Sequence, residues 1–176
     1  MKKYNCAVIG CGRIGSMLED DKLRAHPCTH SGAYFSHPKT KLIAGCDIIN
    51  DRLKMFGAKW NISETNLYTD YKELLKRNDI DILSIAADTE LHYEMTANAV
   101  ENKRIKIILL EKPIAANVRE AKLLEKIAEH TNKKIIVIDE RRFESKYNFV
   151  KHIIDSTKYG KLQTIIGNVL TFGVKE

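Results

Sequence analysis

An apolar run, Cys6-Ala7-Val8-Ile9, breaks into Gly10-Cys11-Gly12-Arg13-Ile14-Gly15, and no other stretch narrows the folding options of this chain so far. Glycines spaced G-x-G-x-x-G recur by chance, but directly after a strand and at the opening of a helix they describe one particular turn. Gly10 permits the tight reversal, Gly12 lets a ligand approach the backbone, and Gly15 lets the following helix pack on the strand. The N–H groups at the helix start then converge on one point and, with the helix dipole, favour an anion there. The motif predicts a strand to Ile9, a helix opening at the glycines, and phosphate held between them.

The rest of the chain repeats that rhythm. Apolar runs at Leu42–Cys46, Ile82–Ala87, Ile105–Leu110 and Ile135–Ile138 suit strands buried on both faces, as in a parallel sheet. Helices start legibly between them. Asp70 with Glu73, and Asn117 with Glu120, form capping-box patterns ahead of apolar stripes. A third helix is expected from Asp88 or Thr89, with Leu91, Met95 and Ala99 along one face. Strand alternating with helix means α/β: a Rossmann-type, doubly wound, mostly parallel sheet, assigned to residues 1–141. Residues 142–176 read differently. A helix near Phe143–Ser156 leads to a stretch in which Leu162, Ile166, Leu170, Phe172 and Val174 share one parity. They are expected to line one long strand, so this segment reads as the first helix and strand of an incomplete α+β second domain. An unpaired strand of this kind invites edge pairing, hence a homo-oligomer through it.

Composition excludes several classes of protein. At 44% hydrophobic and 30% charged residues the chain is an ordinary globular one. No apolar stretch approaches the roughly 20 residues of a membrane helix, and Gly10, Gly12 and Arg13 interrupt the only signal-like N-terminus. The formal charge of +6 raises the question of nucleic acid. The lysines are interleaved with Asp and Glu and form no basic block with aromatics, so no nucleic-acid partner is expected. A positive field favours an anionic small molecule such as a dinucleotide. Cys6, Cys11, Cys28 and Cys46 show no C-x-x-C spacing, which fits a reducing cytoplasm.

Three further positions carry chemistry. Asp47 ends the second run; it can accept hydrogen bonds from an adenosine ribose and repel a 2′-phosphate, favouring NAD over NADP, or it can cap a turn. Arg52 is the nearest cation able to compensate. The distance from Gly15 to Asp47 exceeds the usual spacing of about 20 residues, and the excess lies in Glu19–Ser31. There His26, Cys28 and His30 alternate without a matching second ligand pair, so no metal site is assigned; a loop near the cofactor is expected instead. Glu111-Lys112-Pro113 follows the run Ile105–Leu110, on the edge where such sheets bind ligands. A lysine there can exchange a proton with substrate, with Glu111 orienting it, or the segment can be a plain surface turn.

Taken together, these residues resemble the glucose–fructose oxidoreductase, inositol dehydrogenase and MocA family. The matches are Ala7-Val8-Ile9-Gly10-Cys11-Gly12-Arg13-Ile14-Gly15, Asp47, Asp81-Ile82-Leu83-Ser84-Ile85-Ala86, His92, Glu111-Lys112-Pro113-Ile114-Ala115 and Arg141-Arg142-Phe143, in family order. The resemblance implies NAD(P)-linked oxidation or reduction of a hydroxyl on a sugar, cyclitol or related polyol, with Lys112 as the catalytic residue. It implies cofactor contacts from Gly10, Gly12, Arg13, Ile14, Gly15, Asp47, Ala86, Ala87, Asp88, Thr89, His92, Glu111, Lys112 and Arg142. A dinucleotide-binding module or partner subunit without catalysis is the alternative. The family usually adds an Asp and a His from a second-domain helix with no counterpart here, and Asp139-Glu140 stand where neutral residues such as Asn are usual. A complete member would be roughly twice as long, so a truncated product or excised domain is expected.

Overall fold

The apolar runs do pair side by side. In a computed structural model that describes residues 2–168, six parallel strands form one sheet: β1 (Tyr4–Ile9), β2 (Thr40–Cys46), β3 (Leu67–Tyr68), β4 (Ile82–Ile85), β5 (Ile107–Leu110) and β6 (Lys134–Val137). Their order is β3-β2-β1-β4-β5-β6, so the winding reverses between β1 and β4. This is the α/β Rossmann architecture. The chain separates into compact units of residues 1–138 and 139–176, three residues before the expected boundary.

Within the first unit the strands alternate their side chains into two cores. Ala7, Ile9, Ala44, Cys46, Leu83, Ile85, Ile108 and Leu110 meet Leu74 of α3 (Tyr71–Leu75), Met95 and Ala99 of α4 (His92–Glu101) and Leu124 of α5 (Val118–His130). On the other face Cys6, Val8 and Leu42 meet Tyr34 of α1 (His30–Ser36) and Leu53, Phe56 and Trp60 of α2 (Asn50–Trp60). Both faces are covered, which is why these strands read as continuous apolar runs. Gly45 is set by this packing: a Cβ there would stand 2.4 Å from the Phe56 ring. The thiols of Cys6 and Cys46 serve as small hydrophobes, and burial pushes both up to about 12.

The capping residues act where expected. Asp70 accepts the Lys72 N–H at 2.8 Å, and Asn117 accepts the Glu120 N–H at 3.0 Å. Other expectations need correction. β3, a two-residue strand too short to show any period, is absent from the expected strands. The segment after Asp88 opens as a 3-10 turn, Thr89–Leu91, and α4 begins only at His92. Leu91 is exposed, so of the three expected residues only Met95 and Ala99 are buried, together with His92, Thr96 and Val100.

The larger correction concerns the helix expected after Gly15. One turn forms, with the Ser16 and Leu18 N–H groups on the Gly12 and Arg13 carbonyls, and then a 3-10 turn, Met17–Asp20, ends it. Glu19, Asp20 and Asp21 crowd negative charge at what would be the C-terminal side of the turn, against the helix dipole. The ladder nevertheless resumes. The Ile14 carbonyl accepts the N–H of His30, and the Gly15 carbonyl accepts that of Ser31, at 3.1 and 3.0 Å. If residues 18–29 are left out of the count, His30 stands four positions after Ile14 and Ser31 four after Gly15, the α-helical register. Residues 18–29 are therefore an excursion out of one helix whose second half is α1. Without them Gly15 and Asp47 stand at the usual separation of about 20 residues.

In the second unit a 3-10 turn, Glu140–Phe143, precedes α6 (Ser145–Asp155). Residues 161–168 form no strand, contrary to the parity pattern; Leu170, Phe172 and Val174 lie outside the described residues. No helix among the described residues is long and apolar enough to cross a membrane.

Candidate functional site

The strand order reverses between β1 and β4, and open α/β sheets bind ligands outside the carboxyl ends of the strands at such a reversal. Two of the three motif glycines are demanded by the protein itself. Gly10 has φ of 88°, and a Cβ on it would lie 2.3 Å from the Ala86 carbonyl oxygen. A Cβ on Gly15 would lie 1.8 Å from the Gly10 carbonyl oxygen. Gly12 differs. Its nearest neighbour is the Arg52 guanidinium at 3.6 Å, so the fold leaves room there that a side chain would fill. Among the described residues, the N–H groups of Gly12, Arg13, Ile14 and Gly15 meet no backbone or side-chain acceptor. A helix start with open N–H groups beside a bare backbone suits a pyrophosphate.

Asp47 follows β2 and is buried. Its Oδ2 accepts the Cys11 N–H and its Oδ1 the Ile49 N–H, both at 2.9 Å. The turn-capping role and the place beside the glycine turn thus belong to the same carboxylate. Each oxygen keeps a lone pair for a further donor. Arg52 Nη1 stands 3.8 Å from Oδ2, with its side chain 44% exposed.

β4 delivers Ala86, whose N–H bonds the Ile9 carbonyl, and then Ala87, Asp88 and Thr89 along the same edge. His92, at the start of α4, is buried. Its Nδ1 lies 2.8 Å from the Pro113 carbonyl oxygen and its Nε2 3.0 Å from that of Ala87. The ring ties the segment after β4 to the segment after β5, and both its nitrogens face protein carbonyls.

β5 delivers Glu111, Lys112 and Pro113. Glu111 is buried, and its Oε2 accepts the backbone N–H of Lys112 at 3.2 Å. Glu111 thus orients Lys112 through the main chain, and the Lys112 side chain is exposed. Behind Glu111 runs a buried chain of polar groups. Its Oε1 lies 3.0 Å from His30 Nε2, His30 Nδ1 lies 2.8 Å from Ser84 Oγ, and Ser84 Oγ lies 2.7 Å from the Tyr34 hydroxyl. One direction satisfies every donor: Tyr34 donates to Ser84, Ser84 to His30, and His30 through Nε2–H to Glu111. Burial alone would raise the Glu111 carboxyl; the hydrogen bond from His30 outweighs it, helped by the Lys112 N–H, and holds it below its ordinary value.

The residues singled out in the sequence from Gly10 to Lys112 therefore share one edge of one sheet. Arg142 lies in the second unit, exposed in the turn Glu140–Phe143. His30, Ser84 and Tyr34 had no visible link to Glu111 in the sequence, since partners 81 and 54 residues apart leave no local pattern. His30 also leaves the His26-Pro27-Cys28-Thr29-His30 grouping; it turns inward, away from the other two.

A family model described as "Oxidoreductase family, NAD-binding Rossmann fold" matches residues 4–138. Inositol 2-dehydrogenase of Salmonella typhimurium strain LT2 is 29% identical over 155 residues, covering 88% of this chain and 42% of that protein. The chain thus spans under half the length of this relative. Among solved structures, myo-inositol 2-dehydrogenase from Lactobacillus plantarum superposes with a TM-score of 0.76 at 24% identity, over 91% of this chain and 43% of that one. Scyllo-inositol dehydrogenase from Lactobacillus casei, with bound NAD(H) and scyllo-inositol, gives 0.76 at 22%, over 90% and 43%.

Proposed function

Since the chain belongs to the Gfo/Idh/MocA oxidoreductase family, with its NAD-binding Rossmann fold, we propose that it is the cofactor-binding part of an NAD-dependent dehydrogenase acting on a cyclitol, sugar or related polyol hydroxyl. The inositol 2-dehydrogenase relative supports that substrate class. The observation that carries the reading is the open row of N–H groups at Gly12–Gly15, on the same sheet edge as Asp47 and Lys112.

Bound NAD would supply the hydride acceptor at its nicotinamide ring. The chain's residues supply the rest. The N–H groups of Gly12, Arg13 and Ile14 hold the pyrophosphate, and Gly12 lets it come close to the backbone. Asp47 accepts an adenosine ribose hydroxyl on its spare lone pairs and repels a 2′-phosphate, which favours NAD over NADP. Lys112 hydrogen-bonds the reacting substrate oxygen and carries its proton. Glu111 and His30 fix the main chain from which Lys112 projects, and His92 holds the segment after β4 against it.

A thermal-shift titration of this chain with NADH and NADPH in parallel tests the reading. At a hundred times its dissociation constant NADH adds about 2.7 kcal/mol of stability, and NADPH at the same concentration adds much less. A chain that responds to neither is not the cofactor-binding part of such an enzyme. An equal response means that Arg52 has cancelled the selectivity of Asp47.

A further inference from the structure

The excursion at residues 18–29 carries a cluster that has no role in the dinucleotide site proposed above. Glu19, His26 and Cys28 bring a carboxylate oxygen, an imidazole nitrogen and a sulfur all within 4.8 Å of one another. Glu19 Oε1 lies 3.3 Å from His26 Nδ1, and Cys28 Sγ lies 3.8 Å from the same nitrogen. Tetrahedral zinc, with bonds of about 2.0–2.1 Å to oxygen and nitrogen and about 2.3 Å to sulfur, separates its ligand atoms by about 3.4 Å (N to O) and about 3.6 Å (N to S). These two separations match those edges to within a few tenths of an ångström, and the carboxylate oxygen and sulfur lie within 4.8 Å of each other.

We propose that Glu19, His26 and Cys28 form a three-ligand site for a divalent transition-metal ion of zinc's class, with a fourth position open to solvent. The donor set chooses the ion. A thiolate and an imidazole beside one carboxylate suit zinc or cobalt and disfavour magnesium and calcium, which take oxygen ligands. Binding expels the Cys28 thiol proton to solvent, and the Sγ bond to the Leu18 carbonyl, 3.1 Å, gives way to the metal.

The carboxylate is already held in place for this role. Glu19 Oε2 accepts the N–H groups of Cys28 and Thr29 and the Thr29 hydroxyl, at 3.1, 3.0 and 2.6 Å, leaving Oε1 toward His26. Such outer contacts orient a ligand before the ion arrives. A Cβ on Gly32 would stand 2.2 Å from Glu19 Oε2, so the start of α1 makes room for this carboxylate. The ion would join the beginning of the excursion to its end. Access is open, since the His26 side chain is 41% exposed and Cys28 is half-buried, whereas Cys6, Cys11 and Cys46 are buried.

The test uses the full chain, stripped with chelator and titrated with Co2+ and then Zn2+. We expect one equivalent of Co2+ to bind with the visible and near-ultraviolet absorption of a thiolate-ligated tetrahedral ion, and Zn2+ to displace it. His26→Ala and Cys28→Ser should each weaken binding by at least about tenfold, and Cys28→Ser should remove the sulfur band. These two positions are accessible, so both variants should keep the parent circular dichroism; Glu19 anchors the end of the excursion and is a poorer choice. Absence of the sulfur band, or parent affinity in either variant, overturns the proposal and leaves an ordinary hydrogen-bonded turn.

Discussion

Two glycines in the same turn are required for different reasons, and substitution separates them. Gly10→Ala forces a Cβ to within 2.3 Å of a carbonyl oxygen at a positive φ, which should cost more than about 2 kcal/mol of stability. Gly12→Ala meets only a guanidinium and should leave thermal stability unchanged or up to about 1 kcal/mol higher. It should nonetheless weaken NADH by at least about tenfold, 1.4 kcal/mol. Parent-like NADH binding in Gly12→Ala would mean that the dinucleotide does not approach there. His30 makes a second residue-scale prediction. Glu111 has a lowered folded pKa, so its contribution is fully present above the unfolded value of about 4.3 and is lost as pH falls through the folded one. In His30→Ala the carboxylate is buried without that partner, burial now dominates, and the sign reverses. The variant should lose about 1–3 kcal/mol near pH 7, and its deficit against the parent should shrink below about pH 4 in a melting series. A deficit independent of pH would mean that His30 acts through packing alone.

At the scale of elements, legibility followed the range of the interactions. Asp70 and Asn117 bond N–H groups two and three residues away, so their caps can be read from spacing. β1, β2, β4 and β5 are largely covered on both faces, and each left an apolar run; the edge strand β6 left one too, although Ile136 is exposed. The pairing of His30 with Glu111 joins residues 81 apart, and nothing local announces it. The excursion was visible as surplus length between Gly15 and Asp47, yet the helix-opening motif hid the interruption, because its carbonyls find their donors twelve residues late. This predicts that deleting residues 18–29, which joins Met17 to His30, yields a chain that folds with one longer helix and keeps its response to NADH. Circular dichroism and the thermal-shift titration check it; loss of the NADH response would show that the excursion takes part in the dinucleotide site.

At the scale of the whole molecule, the two units differ in how they treat apolar surface. Residues 1–138 bury two cores. In the second unit no residue of α6 is buried, and Phe143, Phe149 and Ile166 are 76, 65 and 84% exposed. Uncovered apolar surface on this scale is what association sites use. The full chain should therefore form dimers or larger assemblies through residues 139–176, and residues 1–138 alone should be monomeric and still respond to NADH, both read by light scattering after size exclusion. A monomeric full chain at high concentration would remove the expectation of a homo-oligomer. One consequence of the resumed ladder reaches further. The hydrogen bonds from Ile14 to His30 and from Gly15 to Ser31 take no account of what is spliced between Met17 and His30. The interrupted helix is thereby a socket: a peptide whose ends meet one helical step apart, a sensor or affinity cassette among them, should be graftable there while the sheet stays as it is.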